Sequence, residues 1–480
     1  MSGEAVRIVA RKEITEYRRD GRILALLGLT ATLLLVALLT GWATQTERQR
    51  QARQLQHQDQ ATFVSQGDKP THSAAHFGRM AYKPVPALAA FDPGASPYLG
   101  QVVWLEAHAQ GPAMFRPAED ALELRRLSDL SVAGILTLLL PLLIFLLAHG
   151  SIVGERESDT WRHTLSSGAR CNHLFFGKFT AVAAIGTGIA LTAVAASVGV
   201  AVASSPGSLV SDTFVRGIGL IVVYALYGLM LCSIALAVSA RAGSSTSALL
   251  ILLSAWAVSV VIAPRVAADV ADRLHPPPDS AAFWAQTADS IRQSKPKRDS
   301  DEFRAIQREV LSRALGRAVT AEEASTLQLN RRGLHLEISE IIGAKAFDAA
   351  YEQLHATYTA QRRVRRWFAL LAPTISLQHV SSALAGTDVE AHHDFTRAAE
   401  EQRRLVIRLL NEDLMVRGAQ AGDAYLSDRA TWERIPNFTY HPPAVARAVR
   451  HITWDVFVLL LWTVAAAWMA WHAVVRQRAV

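Results

Sequence analysis

Six long apolar runs divide the chain, at residues 23–42, 130–152, 179–203, 217–240, 242–263 and 456–475. None of these runs contains Asp, Glu, Lys or Arg. At about 1.5 Å rise per residue, about twenty helical residues match a hydrocarbon core of about 30 Å. The pattern therefore predicts an all-α membrane protein with six transmembrane helices, called the first to sixth spans in chain order. The first run is too long for a signal-peptide core, so we expect a retained span.

Two polar segments separate the spans, residues 43–129 (the first insertion) and residues 265–455 (the second insertion). Both are long enough to bury cores of their own. The two cysteines, Cys171 and Cys232, lie outside both segments. The insertions must therefore fold by burial and hydrogen bonding, without a disulfide framework.

Helical patterns dominate the second insertion. Thr320 and Glu323 form a capping-box pattern, and apolar residues then recur at helical spacing, which predicts one long amphipathic helix with possible breaks at Gly333 or Gly343. A second helix is expected from Thr387 or Asp388 to Gly418. In the first insertion, residues 49–60 should continue the first span as a polar helix. Residues 84–117 are predicted to be rich in loops. We expect the first insertion to pack on the second.

Charge indicates the orientation. With both termini on one side, the segments on that side (residues 1–22, 153–178, Arg241 and 476–480) hold 13 Lys and Arg against 7 Asp and Glu. The first insertion holds 9 of each and the second 26 against 25. Basic residues favour the cytoplasmic side, so both termini are predicted to be cytoplasmic. The net charge of +7 indicates anchoring to anionic lipid rather than nucleic-acid binding.

Two short segments face that side. Residues 1–22 alternate apolar and basic positions, which suits an amphipathic helix in the membrane interface, although a solvated basic tail is the alternative. Residues 153–178 are too polar for a span and too short for a domain. They carry a charged motif and then a Gly-Lys pair, formed by Glu155, Arg156, Glu157, Asp159, Thr160, Trp161, Gly177 and Lys178.

This segment resembles the type-2 family of bacterial ABC exporter permeases, in which a Glu-Arg-Glu-x-x-Thr motif follows the second span. The resemblance implies a short helix that docks on a separate ATPase subunit. The chain departs from the pattern at Asp159, where the family usually has glycine, and at Gly168, near a common proline. The residues expected to couple to the ATPase are Glu155, Arg156, Glu157, Asp159, Thr160 and Trp161. A solvated charged loop remains the alternative.

The resemblance extends to the layout of the whole chain, including a short outer loop at residues 204–215. Residues 371–411 and 435–440 are similar to the external module of a subgroup with a large helical domain between the fifth and sixth spans. The resemblance implies a protein of the bacterial inner membrane. It implies two permease subunits, either a homodimer or two paralogues, over two ATPase chains. It also allows a periplasmic partner. ATP and Mg²⁺ would belong to the ATPase, because residues 172–179 lack a P-loop and no other cofactor is expected.

Other chemistry has weaker support. The apolar runs hold no ionic group that could couple an ion gradient, which disfavours a secondary carrier. His72 with His76, and His392 with His393 and Asp394, could supply metal ligands, but neither set is complete, so surface histidines are expected and no metal site is predicted. No catalytic nucleophile motif is present. The sequence predicts an exporter permease, with a non-transporting membrane scaffold or sensor as the alternative.

Overall fold

The computed structural model describes residues 2–120, 130–297 and 300–476, and nearly all regular structure in these ranges is helical. Six helical segments are long and apolar enough to cross a membrane, as predicted. Their bounds are Gly21–Val64, Val132–Ala148, Cys171–Ala203, Val210–Arg241, Ser245–Leu274 (with a π-helical stretch at Ala257–Ile262) and Val445–Val475.

Several spans begin at side-chain caps. Asp20 accepts a hydrogen bond from the backbone N–H of Arg22 at 2.9 Å, and Ser131 accepts one from Gly134 at 3.0 Å. Ser244 likewise accepts from the N–H of Ser247 at 3.1 Å. Each cap satisfies a backbone donor that the first helical turn leaves unpaired. These polar residues therefore mark where the helices start.

Most spans extend beyond their apolar runs. The first helix continues as a polar rod to Val64, which confirms the predicted extension. The sixth begins at Val445, well before the apolar run, and so includes the buried Asp455. Ionisable groups therefore lie near the ends of membrane helices although the runs themselves are uncharged.

The second, third and fourth spans form the centre of the bundle. Two thirds (67%) of the most apolar window of the second span is buried, against 22% for the first span and 11% for the fifth. Large apolar side chains on the outer spans, such as Leu29, Leu250 and Val464, are exposed. These surfaces suit contact with lipid tails or with another membrane helix.

The N-terminal segment forms the helix Ser2–Arg19, called the interfacial helix, which packs on the third span. Its helical structure agrees with the prediction, and its place in the membrane interface stays a prediction. Gly177 permits this approach, because a Cβ there would lie 2.5 Å from the Cβ of Val9. The end of the bundle that carries this helix is called the inner end, and the opposite end the outer end.

We expect Gly177→Ala to destabilise the docking of the interfacial helix by about 1–3 kcal/mol, since overpacking forces neighbouring groups apart. The measurement is the rate of proteolytic cleavage within residues 2–19 of the purified protein. Gly188→Ala is the matched control in the same helix, because nothing lies within 4 Å of a Cβ there. Equal cleavage rates in the two variants would contradict the prediction.

At the outer end the second insertion forms a helical lobe. Its helices are Ser280–Gln293, Asp301–Leu315, Ala321–Thr326, Arg331–Phe368, Pro373–Ala385, Val389–Arg417 and Arg429–Arg434. Asp388 caps the helix Val389–Arg417, as predicted, by accepting a hydrogen bond from Ala391 at 3.0 Å.

One expectation about the lobe is wrong in its boundary. The capping box at Thr320 and Glu323 is present, but it caps only the short helix Ala321–Thr326. The long helix starts at Arg331 with Asn330 as its cap and continues unbroken past Gly333 and Gly343. Gly333 instead allows close packing on the helix Val389–Arg417, since a Cβ there would lie 2.7 Å from the backbone nitrogen of Met415.

The first insertion packs on this lobe, as expected. Phe63, Ala74 and Ala75 share a core with Leu410 and Trp432. The insertion also contains helices Thr71–Phe77 and Pro117–Asp120, three-residue to four-residue 3-10 turns, and an antiparallel hairpin of strands β1 (Arg79–Tyr82) and β2 (Val102–Leu105). The sequence did not predict this hairpin, and residues 84–117, which contain β2, were interpreted as loop. The strands are only four residues long and lie on either side of a proline-rich loop.

Candidate coupling site at the inner end of the bundle

The polar segment after the second span forms two short helices, Val153–Glu157 and Thr160–Ser166. The second of these is called the coupling helix. Between them Asp159 has φ 58°, in the left-handed region that favours glycine. This is the position where the resembling family usually carries glycine, and aspartate is among the few residues that tolerate it. The backbone therefore turns sharply at Asp159.

Glu155 holds the first of these helices against two other elements. Its carboxylate lies 2.6 Å from the Nζ of Lys12 in the interfacial helix and 2.8 Å from the Nζ of Lys178 in the third span. Lys178, which is only 1% exposed, also pairs with Glu13 at 2.6 Å. Because both carboxylates share a buried cation, the interfacial helix, the loop and the third span are joined by one ionic cluster.

Arg156 contacts the fourth span at its inner end. Its guanidinium donates hydrogen bonds to the carbonyl of Ala240, at 3.1 Å, and to the carbonyl of Ala242. The last carbonyls of a helix have no partner within the helix, so Arg156 satisfies groups that would otherwise remain unpaired.

Glu157 pairs with donor groups at the start of the fifth span, whereas Arg156 pairs with acceptor groups at the end of the fourth. Its carboxylate accepts hydrogen bonds from the backbone N–H of Ser245, at 3.0 Å, and from the Ser245 hydroxyl. A carboxylate at a helix N-terminus also interacts favourably with the helix dipole. Ser239 of the fourth span adds a further link, since its hydroxyl accepts from the N–H of Ile152 at 3.1 Å.

Three consecutive side chains thus tie the loop to four other elements. Glu155 and Glu157 are among the residues predicted to couple to an ATPase, and the structure directs both carboxylates to groups of the same chain. Trp161 is also buried, at 3% exposure. Asp159, Thr160, Arg162 and His163 are exposed and face away from the core. Of the predicted coupling residues, Asp159 and Thr160 are exposed, and their described hydrogen bonds lie within residues 156–164.

The residues that complete this arrangement were not found from the sequence. Lys12, Glu13 and Ser245 look like ordinary polar residues of a tail and a turn. Lys178 was noted only as part of the family pattern. The sole signal available was that Lys178 is a charged residue directly before an apolar run, a position where a buried ion pair can form.

A cavity of about 610 Å³ lies at the other end, where the lobe meets the spans. Asp455, which is 1% exposed, lies 2.8 Å from Nδ1 of His379 and 3.4 Å from Nε of Arg366. Asp92 and Arg362 also line the cavity. Charged groups of both signs lie in its wall, among a larger area of apolar surface.

Together these features define a multi-pass helical membrane protein. Ion pairs and hydrogen bonds join its inner loop to the bundle, and a large lobe lies at its outer end. The chain belongs to the ABC-2 family of transporter proteins, since the family model described as "ABC-2 family transporter protein" matches residues 7–475. The predicted membership of the family is thereby confirmed, whereas the subgroup stays a prediction. Such a chain is a membrane permease of an ABC transporter and is not itself catalytic. A search among curated proteins finds no match.

Proposed function

We propose that the chain is the permease subunit of an ATP-driven exporter in a bacterial inner membrane, driven by a separate ATPase subunit. The observation that carries the proposal is the exposed coupling helix, Thr160–Ser166, attached to the bundle through Glu155, Arg156 and Glu157. In this arrangement both termini are cytoplasmic and the lobe is periplasmic, in keeping with the excess of basic residues at the inner end.

The bonds of Glu155, Arg156 and Glu157 to the bundle suit the transmission of force from an ATPase to the spans. An ATPase that closes on ATP would push the exposed face of the coupling helix. Because the adjoining residues are bonded to the interfacial helix and to the third, fourth and fifth spans, the push would move those elements together rather than only bend the loop. Asp159 and Arg162 offer charges of both signs to the partner surface.

A pair of permeases over two ATPase chains is the assembly that we propose. The exposed apolar faces of the first, fifth and sixth spans provide surface for a second permease as well as for lipid. The cavity between lobe and spans would receive a substrate that combines apolar surface with charged or polar groups. The lobe would bind a periplasmic partner.

The coupling helix is tested by changing the charges of the exposed residues at its start. Arg162→Glu is combined in one variant with Asp159→Asn, since asparagine also tolerates the left-handed backbone at this position. We expect at least a tenfold loss of ATPase co-purification and of permease-stimulated ATP hydrolysis, because like charges across an interface cost several kcal/mol. Arg53→Glu, an exposed reversal at the outer end, is the matched control and should change neither readout.

The orientation is tested separately in a variant without native cysteines. A cysteine at Ser166 should resist a membrane-impermeant maleimide in intact cells, whereas one at Ser65 should react. Labelling at Ser166 in intact cells would exclude the proposed docking. If the reversed variant retains its ATPase at the full level, or if no ATPase co-purifies with the unmodified chain, the scaffold or sensor alternative is favoured.

A further inference from the structure

Three histidines of the first insertion come together on the lobe side of the protein. His72 and His76 lie one turn apart on the helix Thr71–Phe77, and His108 follows strand β2. One ring nitrogen from each lies within 4.8 Å of the others. The ring centroids are 4.6 Å apart for His72 and His76, and 5.3 Å from each of these to His108. The three rings therefore surround a common point.

Their spacing fits a metal ion. The Nε2 atoms of His72 and His76 lie 3.2 Å apart. Zinc binds imidazole nitrogen at about 2.0–2.1 Å with tetrahedral geometry, which separates two ligand atoms by about 3.3–3.4 Å. The observed distance is close to that value before any ion adjusts the side chains.

We propose that His72, His76 and His108 form a zinc-binding site with three imidazole ligands and a fourth position open to water. Imidazole ligands without a thiolate or a nearby set of carboxylates favour Zn²⁺ and similar divalent transition metals over Ca²⁺ or Mg²⁺. His76 and His108 are exposed, so an ion can reach the site from solvent.

The backbone and a carboxylate fix His108 in place. Its φ is 68°, a left-handed value that is uncommon for a residue other than glycine. Its backbone N–H donates to Oε2 of Glu340 at 3.2 Å, and its Nδ1 lies 3.8 Å from the same oxygen. Glu340 is held in turn by Arg403 at 2.5 Å. A carboxylate behind a metal-binding histidine is a common means of orienting its ring.

The other histidine set noted in the sequence does not converge in this way. His393 stacks on His355 with ring centroids 3.8 Å apart, and His392 is directed toward Phe395. Among residues 2–120, 130–297 and 300–476, the cluster of His72, His76 and His108 is the one group of three or more candidate ligands at metal-binding spacing. His108 was missed in the sequence analysis because it is thirty-two residues beyond His76.

The test uses the full chain, purified in detergent through an affinity tag without histidine, stripped with a chelator and dialysed against low micromolar zinc. We expect one bound zinc per chain by elemental analysis, and a cobalt(II) substitute should give the visible bands of tetrahedral coordination. His72→Ala, His76→Ala and His108→Ala should each weaken zinc binding at least tenfold. His441→Ala, which removes an exposed histidine elsewhere, should leave it unchanged.

His76 is exposed, so its replacement does not put the fold at risk, and its variant decides the result even if the others fold poorly. Zinc binding below one tenth of an equivalent in the unmodified chain would overturn the proposal. Unchanged binding in His76→Ala, or equal loss in His441→Ala, would do the same. The measurement needs no ATPase, so its outcome is independent of the proposed transport function.

Discussion

Replacing Arg403 by alanine should destabilise the lobe by about 3–5 kcal/mol, the usual cost of leaving a buried ionic partner unpaired. Arg403 is 1% exposed and donates two hydrogen bonds to Glu400, at 2.7 and 2.9 Å, and one to the carbonyl of Glu106 at 3.1 Å. It also pairs with Glu340 at 2.5 Å. Glu340 would lose its ionic partner in the interior of the lobe, while Arg404 would still pair with Glu400.

Pulse proteolysis of the purified chain in increasing urea, with fragments assigned to the lobe, measures this change. Arg397→Ala is the matched control six residues earlier on the same helix, because Arg397 is 58% exposed and its ion pairs are of the surface kind, worth about 0–1 kcal/mol. Arg403→Lys should fail to restore stability, since lysine cannot form the same forked set of bonds. Equal urea midpoints for Arg403→Ala and Arg397→Ala would contradict the prediction that the buried Arg403 stabilises the lobe more than the exposed Arg397.

Replacing Lys178 by methionine should cost about 3 kcal/mol or more at the inner end, because it removes the cation shared by Glu13 and Glu155. The expected result is a lower melting temperature and release of the interfacial helix to protease. Lys12→Met is the matched control: Lys12 contacts the same two carboxylates but is 43% exposed, so its loss should cost about 1 kcal/mol or less.

A double variant separates this pairing from a general loss of packing. If Glu155 and Lys178 interact directly, Glu155→Gln combined with Lys178→Met should be less destabilised than the sum of the two single variants. If the stability changes of the single variants add up exactly in the double variant, the two residues contribute independently. That result would contradict the direct interaction inferred from the short distance between their charged atoms.

The sequence was sufficient for the parts of the fold that depend on local patterns. An uncharged apolar run of about twenty residues has few folded states other than a span, and each of the six runs lies largely within a helical segment long enough to cross a membrane. Asp388 and Gly418 likewise mark the ends of a helix through local backbone chemistry, and both are at the ends observed.

The candidate sites depended on contacts that local patterns do not encode. Lys12 and Glu155 are 143 residues apart, and Glu13 and Lys178 are 165 apart. Nothing in the spacing of either pair indicates that they meet, so the Glu-Arg-Glu motif was interpreted as a partner surface rather than as a set of internal bonds. Gly333 misled in the same way, since a glycine that permits helix packing looks like one that ends a helix.

The helix Gly21–Val64 has 44 residues and is therefore about 66 Å long, roughly twice the thickness of the hydrocarbon core. It starts beside the interfacial helix and ends against Trp432 of the lobe, where Phe63 lies 5.9 Å from the indole ring. Such a rod acts as a lever: a tilt of about 10° about its inner end would carry its far tip about 11 Å sideways. Small rearrangements at the inner end of the bundle would in this way become large displacements at its outer end.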